Sequence, residues 1–275
     1  MSDTSDKDSM LLANTMAIPK STQGVFTLPC GLLTGEGQLH TEVALHEIRG
    51  HEEDMLASKT VPDWKKLGEL IAGCVTRIGT ITDRGMVADS VLKLPAGDRV
   101  FLLLAIRRVT LGDMLPFHSK CSSPKEECDV TSMYTIDLSS LDIKKMPDPM
   151  KRVGYEAKLP SGKSIRYRVL NGVDEEAVSK ATKSKDDSIS LSMFHRIELL
   201  EDKKPTLRDV KDLGLADRCY IREELFDAID GGVETAVDMT CPRCQVDFKH
   251  TVDVGEQGFF FPSQVRKAWR MKSTS

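Results

Sequence analysis

The sequence predicts an α+β fold, a mixed helical core carrying short antiparallel strands. Three observations predict it. The run Arg99 to Arg107 is apolar almost all round and reads as a buried helix, with a buried strand as the alternative that periodicity does not exclude in so short a run. Tyr155 to Leu159 and Ser164 to Leu170 flank the turn Pro160-Ser161-Gly162, the pattern of a β-hairpin. Two distant cysteine pairs each precede an alternating segment, the layout of a split zinc-ribbon-like element.

The elements follow in order. Residues 1–23 are rich in Ser, Thr, Asp and Lys and read as a flexible arm. Val25 to Pro29 reads as a first short strand, and Val43 to Ile48 as a second after turns at Gly31, Gly35 and Gly37. Gly50-His51-Glu52-Glu53-Asp54 starts a helix, its acidic residues suited to the positive end of the dipole. Pro62-Asp63 starts another, with Trp64, Leu67, Leu70, Ile71 and Cys74 at helical spacing. Asp83 to Val91 reads as a short polar stretch, followed by the buried helix that ends near Gly112.

His118 to Asp129 reads as a cysteine-bearing loop and Tyr134 to Leu138 as a strand, together a first knuckle over 118–138. After the hairpin, Asn171 to Glu176 turns and caps a helix, and Lys183 to Asp187 is a charged surface break. Arg208 to Leu213 and Asp217 to Ile229 read as helices closed by Gly231-Gly232. Val233 to Val254 carries the second cysteine pair on short strands, and Ser263 to Lys272 reads as a basic helical end. The resulting division is an arm at 1–23, a mixed body at 24–230, and a zinc-ribbon-like half with its tail at 231–275.

Composition narrows the function classes. The 275 residues are 40% hydrophobic and 29% charged, with a net charge of -4. That balance gives no reason to expect broad nucleic-acid or anionic-membrane binding. No apolar run reaches the roughly 18–20 residues that span a bilayer. Met1 to Ser9 has no signal-peptide core, so a reducing cytosol is expected. In that setting seven cysteines do not imply a disulfide framework.

Cys241-Pro242-Arg243-Cys244 places two thiolates on one tight turn, where both can reach the same zinc ion and backbone amides can point at the sulfurs. Cys121 and Cys128 supply the second pair, with His118 as a substitute ligand. The expected cofactor is one structural zinc; Cys30, Cys74 and Cys219 read as ordinary core thiols. His46-Glu47-Ile48-Arg49-Gly50-His51 has one residue too many for a zinc-protease helix. Ser161-Gly162-Lys163-Ser164 lacks the upstream glycine of a phosphate loop. There is no G-x-S-x-G elbow and no dinucleotide fingerprint, so no enzyme is expected. A zinc-ribbon nucleic-acid binder is the alternative, and the acidic balance speaks against it. A metalloenzyme would need an open zinc position, which a four-sulfur site lacks.

In order along the chain, these stretches resemble the baseplate hub assembly proteins of T-even-type contractile-tailed phages. The resemblance runs over about 25–262. It rests on Leu28-Pro29 with its glycine-rich turn, Gly50 to Leu56, Leu67 to Cys74, and Gly97 to Leu104 followed by Arg107. The cysteine loop with Tyr134 to Leu138, Leu159 to Lys163, Tyr167 to Leu170, Gly172 to Glu175, Cys241 to Cys244 and Phe259-Phe260 complete it. It implies a non-enzymatic hub chaperone or structural component, in the host cytoplasm during assembly or in the virion tail. Its implied partners are other hub proteins and the tape-measure protein. Phe259, Phe260 and Phe261 are candidate partner-binding residues, with burial in the core as the competing expectation.

Overall fold

The computed structural model describes residues 15–17, 24–121, 128, 130–182, 185–255 and 257–260. The fold is α+β, with all strands paired antiparallel in small sheets. β1 (Thr15–Ala17) lies in the segment expected to be a flexible arm and pairs with a later strand. β2 (Val25–Leu33) and β3 (Leu39–Leu45) form a bulged pair, and β3 also holds β4 (Val75–Ile78). Between β3 and β4 run α1 (Gly50–Ala57) and α2 (Asp63–Cys74).

α3 (Arg84–Lys93) replaces the expected polar stretch. The Asp83 side chain accepts from the Met86 N–H at its start, and Val87 and Val91 are buried one turn apart. α4 (Ala96–Leu111) is the buried helix, longer than the apolar run because Arg99, Arg107 and Arg108 are buried with it. It ends at Gly112, whose φ of 87° suits a residue without Cβ.

β5 (Met114–Lys120) and β6 (Thr131–Asp137) form one hairpin. The cysteine loop is therefore shorter than expected, since His118 to Lys120 belong to β5. A 3-10 turn leads to β7 (Asp142–Lys144), which joins β1 to the later β11 (Gly232–Val233). The predicted middle hairpin is β8 (Tyr155–Lys158) and β9 (Ser164–Tyr167). Its turn is closed by Gly162 N–H to Leu159 O and Leu159 N–H to Lys163 O, so Ser161 to Ser164 cradles no helix.

α5 (Gly172–Ala181) starts on a capping box between Asn171 and Asp174. α6 (Lys185–Arg196) runs through part of the expected surface break and hands over to β10 (Ile197–Leu200), which completes the β8–β9 sheet. α7 (Leu207–Lys211), α8 (Leu215–Tyr220), a π-helical turn at Ile221–Phe226 and α9 (Asp227–Ile229) follow. β12 (Ala236–Thr240) and β13 (Asp247–Thr251) form the last hairpin, and α10 (Gln257–Phe260) ends the described chain. Among the described residues no helix is long and apolar enough to cross a membrane.

The largest core joins the β2–β3–β4 sheet to α2, α3 and α4 through Phe26, Val43, Leu70, Phe101 and Leu104. Phe259 and Phe260 are part of it. A second core lies under β8, β9 and β10, with Tyr167, Met193, Ile221 and Phe226. A third, small cluster is Cys121, Cys241 and Phe248, flanked by Cys128, Tyr134, Met239 and Cys244.

Candidate metal centre

The two hairpins far apart in sequence, β5–β6 and β12–β13, meet through their aromatic faces. The rings of Phe117 and His250 stack at 4.3 Å, and those of Tyr134 and Phe248 meet edge to face at 6.0 Å. Ser119 Oγ lies 3.4 Å from His250 Nδ1. This seam follows from the two-residue period of a strand, which sends Phe117 and Tyr134 to the side that Phe248 and His250 occupy. Sequence reasoning missed the seam, although the alternation after each cysteine pair was its signal.

At the ends of the hairpins the sulfurs converge. Cys121 N–H donates to Val130 O at 3.0 Å, which closes the first loop. Cys241 N–H donates to Val246 O at 3.0 Å and Gln245 N–H to Cys241 O at 2.9 Å, which closes the second. Gln245 takes a φ of 57° to make that turn. Cys121 Sγ lies 3.7 Å from Cys244 Sγ, and Cys128 Sγ lies 3.8 Å from Cys241 Sγ. All four sulfurs fall within 4.8 Å of one another. A tetrahedron built on zinc–sulfur distances of about 2.3 Å has edges of about 3.8 Å. The donor set therefore fits a tetrahedral thiophilic ion.

Electrostatics agree with that fit. The N–H groups of Cys244 and Arg243 point at Cys241 Sγ and pull its pKa down to about 7. The Val246 N–H pulls Cys244 the same way, but burial and the sulfurs of Cys241, Cys121 and Cys128 push it up to about 12. Four thiols this close cannot all ionise against one another without a cation between them. Cys121 and Cys241 are buried, and Cys128 and Cys244 half-buried, so the cluster is closed on most sides.

The other predicted residues lie elsewhere. His118 is exposed on β5 opposite Met133, outside the sulfur group. Phe259 and Phe260 are 4% and 5% exposed and packed in the main core, so they present no docking face. Burial won there because Arg107 Nε donates to Phe259 O, drawing the segment onto α4. Phe261 lies outside the described residues. Cys30 and Cys74 are buried, and Cys219 is half-buried.

The fold is a mixed α+β body in which two hairpins meet at a cluster of four cysteines. The family model described as "T4 bacteriophage base plate protein" matches residues 50–261, more than half of the chain, and the chain belongs to that family. Membership supports a structural role in the phage tail baseplate, in contact with other baseplate components. No curated protein and no solved structure matches the chain.

Proposed function

We propose that this chain serves the baseplate hub, as an assembly chaperone or a resident hub component, and that one structural zinc staples it. Cys121, Cys128, Cys241 and Cys244 would hold the ion. A bound zinc would join the hairpin after α4 to the hairpin near the C-terminus, and its binding free energy would become folding free energy. The observation that carries this reading is the convergence of four sulfurs from two hairpins in a baseplate-family chain. A site filled by four thiolates has no position for an activated water, which supports a structural role over hydrolysis.

The test is complementation. A phage lacking this gene should form complete baseplates when supplied with the wild-type chain, and the chain should co-purify with hub or tape-measure proteins from infected cells. Cys244→Ser should fail in both assays and lose the ion of the four-cysteine site. Normal tails without the gene, or no association with hub proteins, would remove the hub assignment.

A further inference from the structure

A second group of metal-type donors lies at one end of the β2–β3–β4 sheet, where β3 ends and β4 begins. His46 follows β3, and its N–H donates to Cys74 O at 3.0 Å, which fixes the loop on the end of α2. One ring nitrogen of His46, a carboxylate oxygen of Glu52 and Cys74 Sγ all lie within 4.8 Å of one another. Among the described residues no hydrogen bond links these three side chains to each other. Each is instead braced from behind. His46 Nδ1 sits 2.6 Å from Glu47 O, a contact that only an N–H satisfies, so the neutral ring carries its lone pair on Nε2. That backbone brace is the usual support of a metal-binding imidazole. Glu52 Oε2 accepts from the Arg49 N–H at 2.9 Å, which orients the carboxylate and leaves its other oxygen available. The carboxylate lies along Gly73, where a Cβ would stand 3.0 Å from Glu52 Cγ.

We propose that His46, Glu52 and Cys74 bind a zinc ion. One nitrogen, one carboxylate oxygen and one thiolate form a set suited to zinc and poorly suited to magnesium or calcium, which prefer oxygen alone. Two anionic ligands, the Glu52 carboxylate and the Cys74 thiolate, would balance the dication, and the nearby Arg84 guanidinium, which donates to Gly73 O and Val75 O, would favour the thiolate. Cys74 would release its thiol proton to solvent on binding. This site shares no residue with the four-cysteine cluster, and neither assignment depends on the other.

Zinc content of the full-length chain, purified from zinc-supplemented cells and dialysed, tests the site. Wild type should carry one more zinc per chain than His46→Ala and Glu52→Gln, with unchanged far-UV circular dichroism. Gln keeps the acceptor for the Arg49 N–H, so Glu52→Gln guards against a simple loss of the helix start. Cys244→Ser should keep the His46-dependent ion, and the Cys244→Ser, His46→Ala double variant should lose it. Equal zinc content in wild type, His46→Ala and Glu52→Gln would overturn the proposal. If only the four-cysteine reading failed, wild type would still exceed His46→Ala by one ion.

Discussion

Cys121 and Cys244 stand 123 positions apart in sequence, yet their sulfurs lie 3.7 Å apart. Cys128 and Cys241 repeat the relationship at 3.8 Å, so each sulfur pair spans both hairpins. A contact of this range is entropically costly to close and is therefore where a bound ion stabilises most. Removing the ion with a chelator should lower the melting temperature. Cys244→Ser should do the same, with a loss of ~3 kcal/mol or more, or about 6–12 °C for a chain of this size. Calorimetry with and without chelator measures it. An unchanged melting point together with unchanged zinc content would refute the clasp.

Asp98 offers a pH test. It is fully buried in the first turn of α4, with Oδ1 accepting from the Cys30 N–H at 2.8 Å. Burial pushes its carboxyl from 3.8 up to about 7, against the opposing pull of the Cys30 N–H. The native state thus holds this proton more tightly than the unfolded chain does. The associated stability is complete below about pH 4 and is lost as pH rises through about 7. Asp98→Asn keeps the acceptor and removes the titration. Between pH 5 and pH 8 the wild type should lose ~2–3 kcal/mol more than the variant in urea denaturation. Parallel pH profiles for the two proteins would contradict the assignment.

Gly97 tests how α4 meets β11. A Cβ at Gly97 would stand 1.8 Å from Gly231 O and 2.8 Å from Gly232 Cα, and backbone cannot move aside as a side chain can. Gly97→Ala should therefore destabilise by at least ~2 kcal/mol, although alanine favours a helix by about 1 kcal/mol over glycine. At Gly50, in the first turn of α1, a Cβ would meet nothing within 4 Å. Gly50→Ala should be neutral or stabilising by up to ~1 kcal/mol. Thermal unfolding of the pair separates packing from propensity, and equal effects would deny the close approach.

The sequence was most legible where a pattern repeats. Leu102, Leu103 and Leu104 announce a buried element, helix or strand, and Pro160-Ser161-Gly162 announces a hairpin turn between alternating strands. The cysteine pairs were legible because Cys241 and Cys244 sit at ligand spacing. What stayed hidden was charge placed inside. Arg99 and Arg107 look like the ends of an apolar run, but Arg99 is paired with Glu175 at 2.6 Å and both lie within α4. Sequence alone cannot show that a distant partner satisfies a buried guanidinium. The same limit hid the group at His46, Glu52 and Cys74. Its members come from a loop and two helices, and the tempting pairing of His46 with His51 draws the eye away. The short helix α3 was hidden by its polar residues, although Asp83 carried the cap signal.

Arg107 gives the last prediction, because it holds the end of the described chain. Its side chain is 1% exposed and carries donors to three carbonyls. Nε reaches Phe259 O at 3.1 Å, one terminal nitrogen Gly112 O at 2.9 Å, and the other Met114 O at 3.1 Å. Burial lowers its pKa to about 10, which leaves it charged at neutral pH. The guanidinium therefore links α4, the start of β5 and α10 at one point. Arg107→Met fills much of the volume but leaves the buried Phe259 carbonyl and two part-buried carbonyls without this donor, and it should cost ~2–4 kcal/mol. Arg107→Lys keeps the charge without the planar fork and should recover only part of the loss. Hydrogen exchange offers the more specific readout. In Arg107→Met the amides around Phe259 and Phe260 should lose protection before those of β8 and β9, which belong to the second core. Uniform loss across both cores would mean that Arg107 supports the fold globally and does not pin the C-terminal helix.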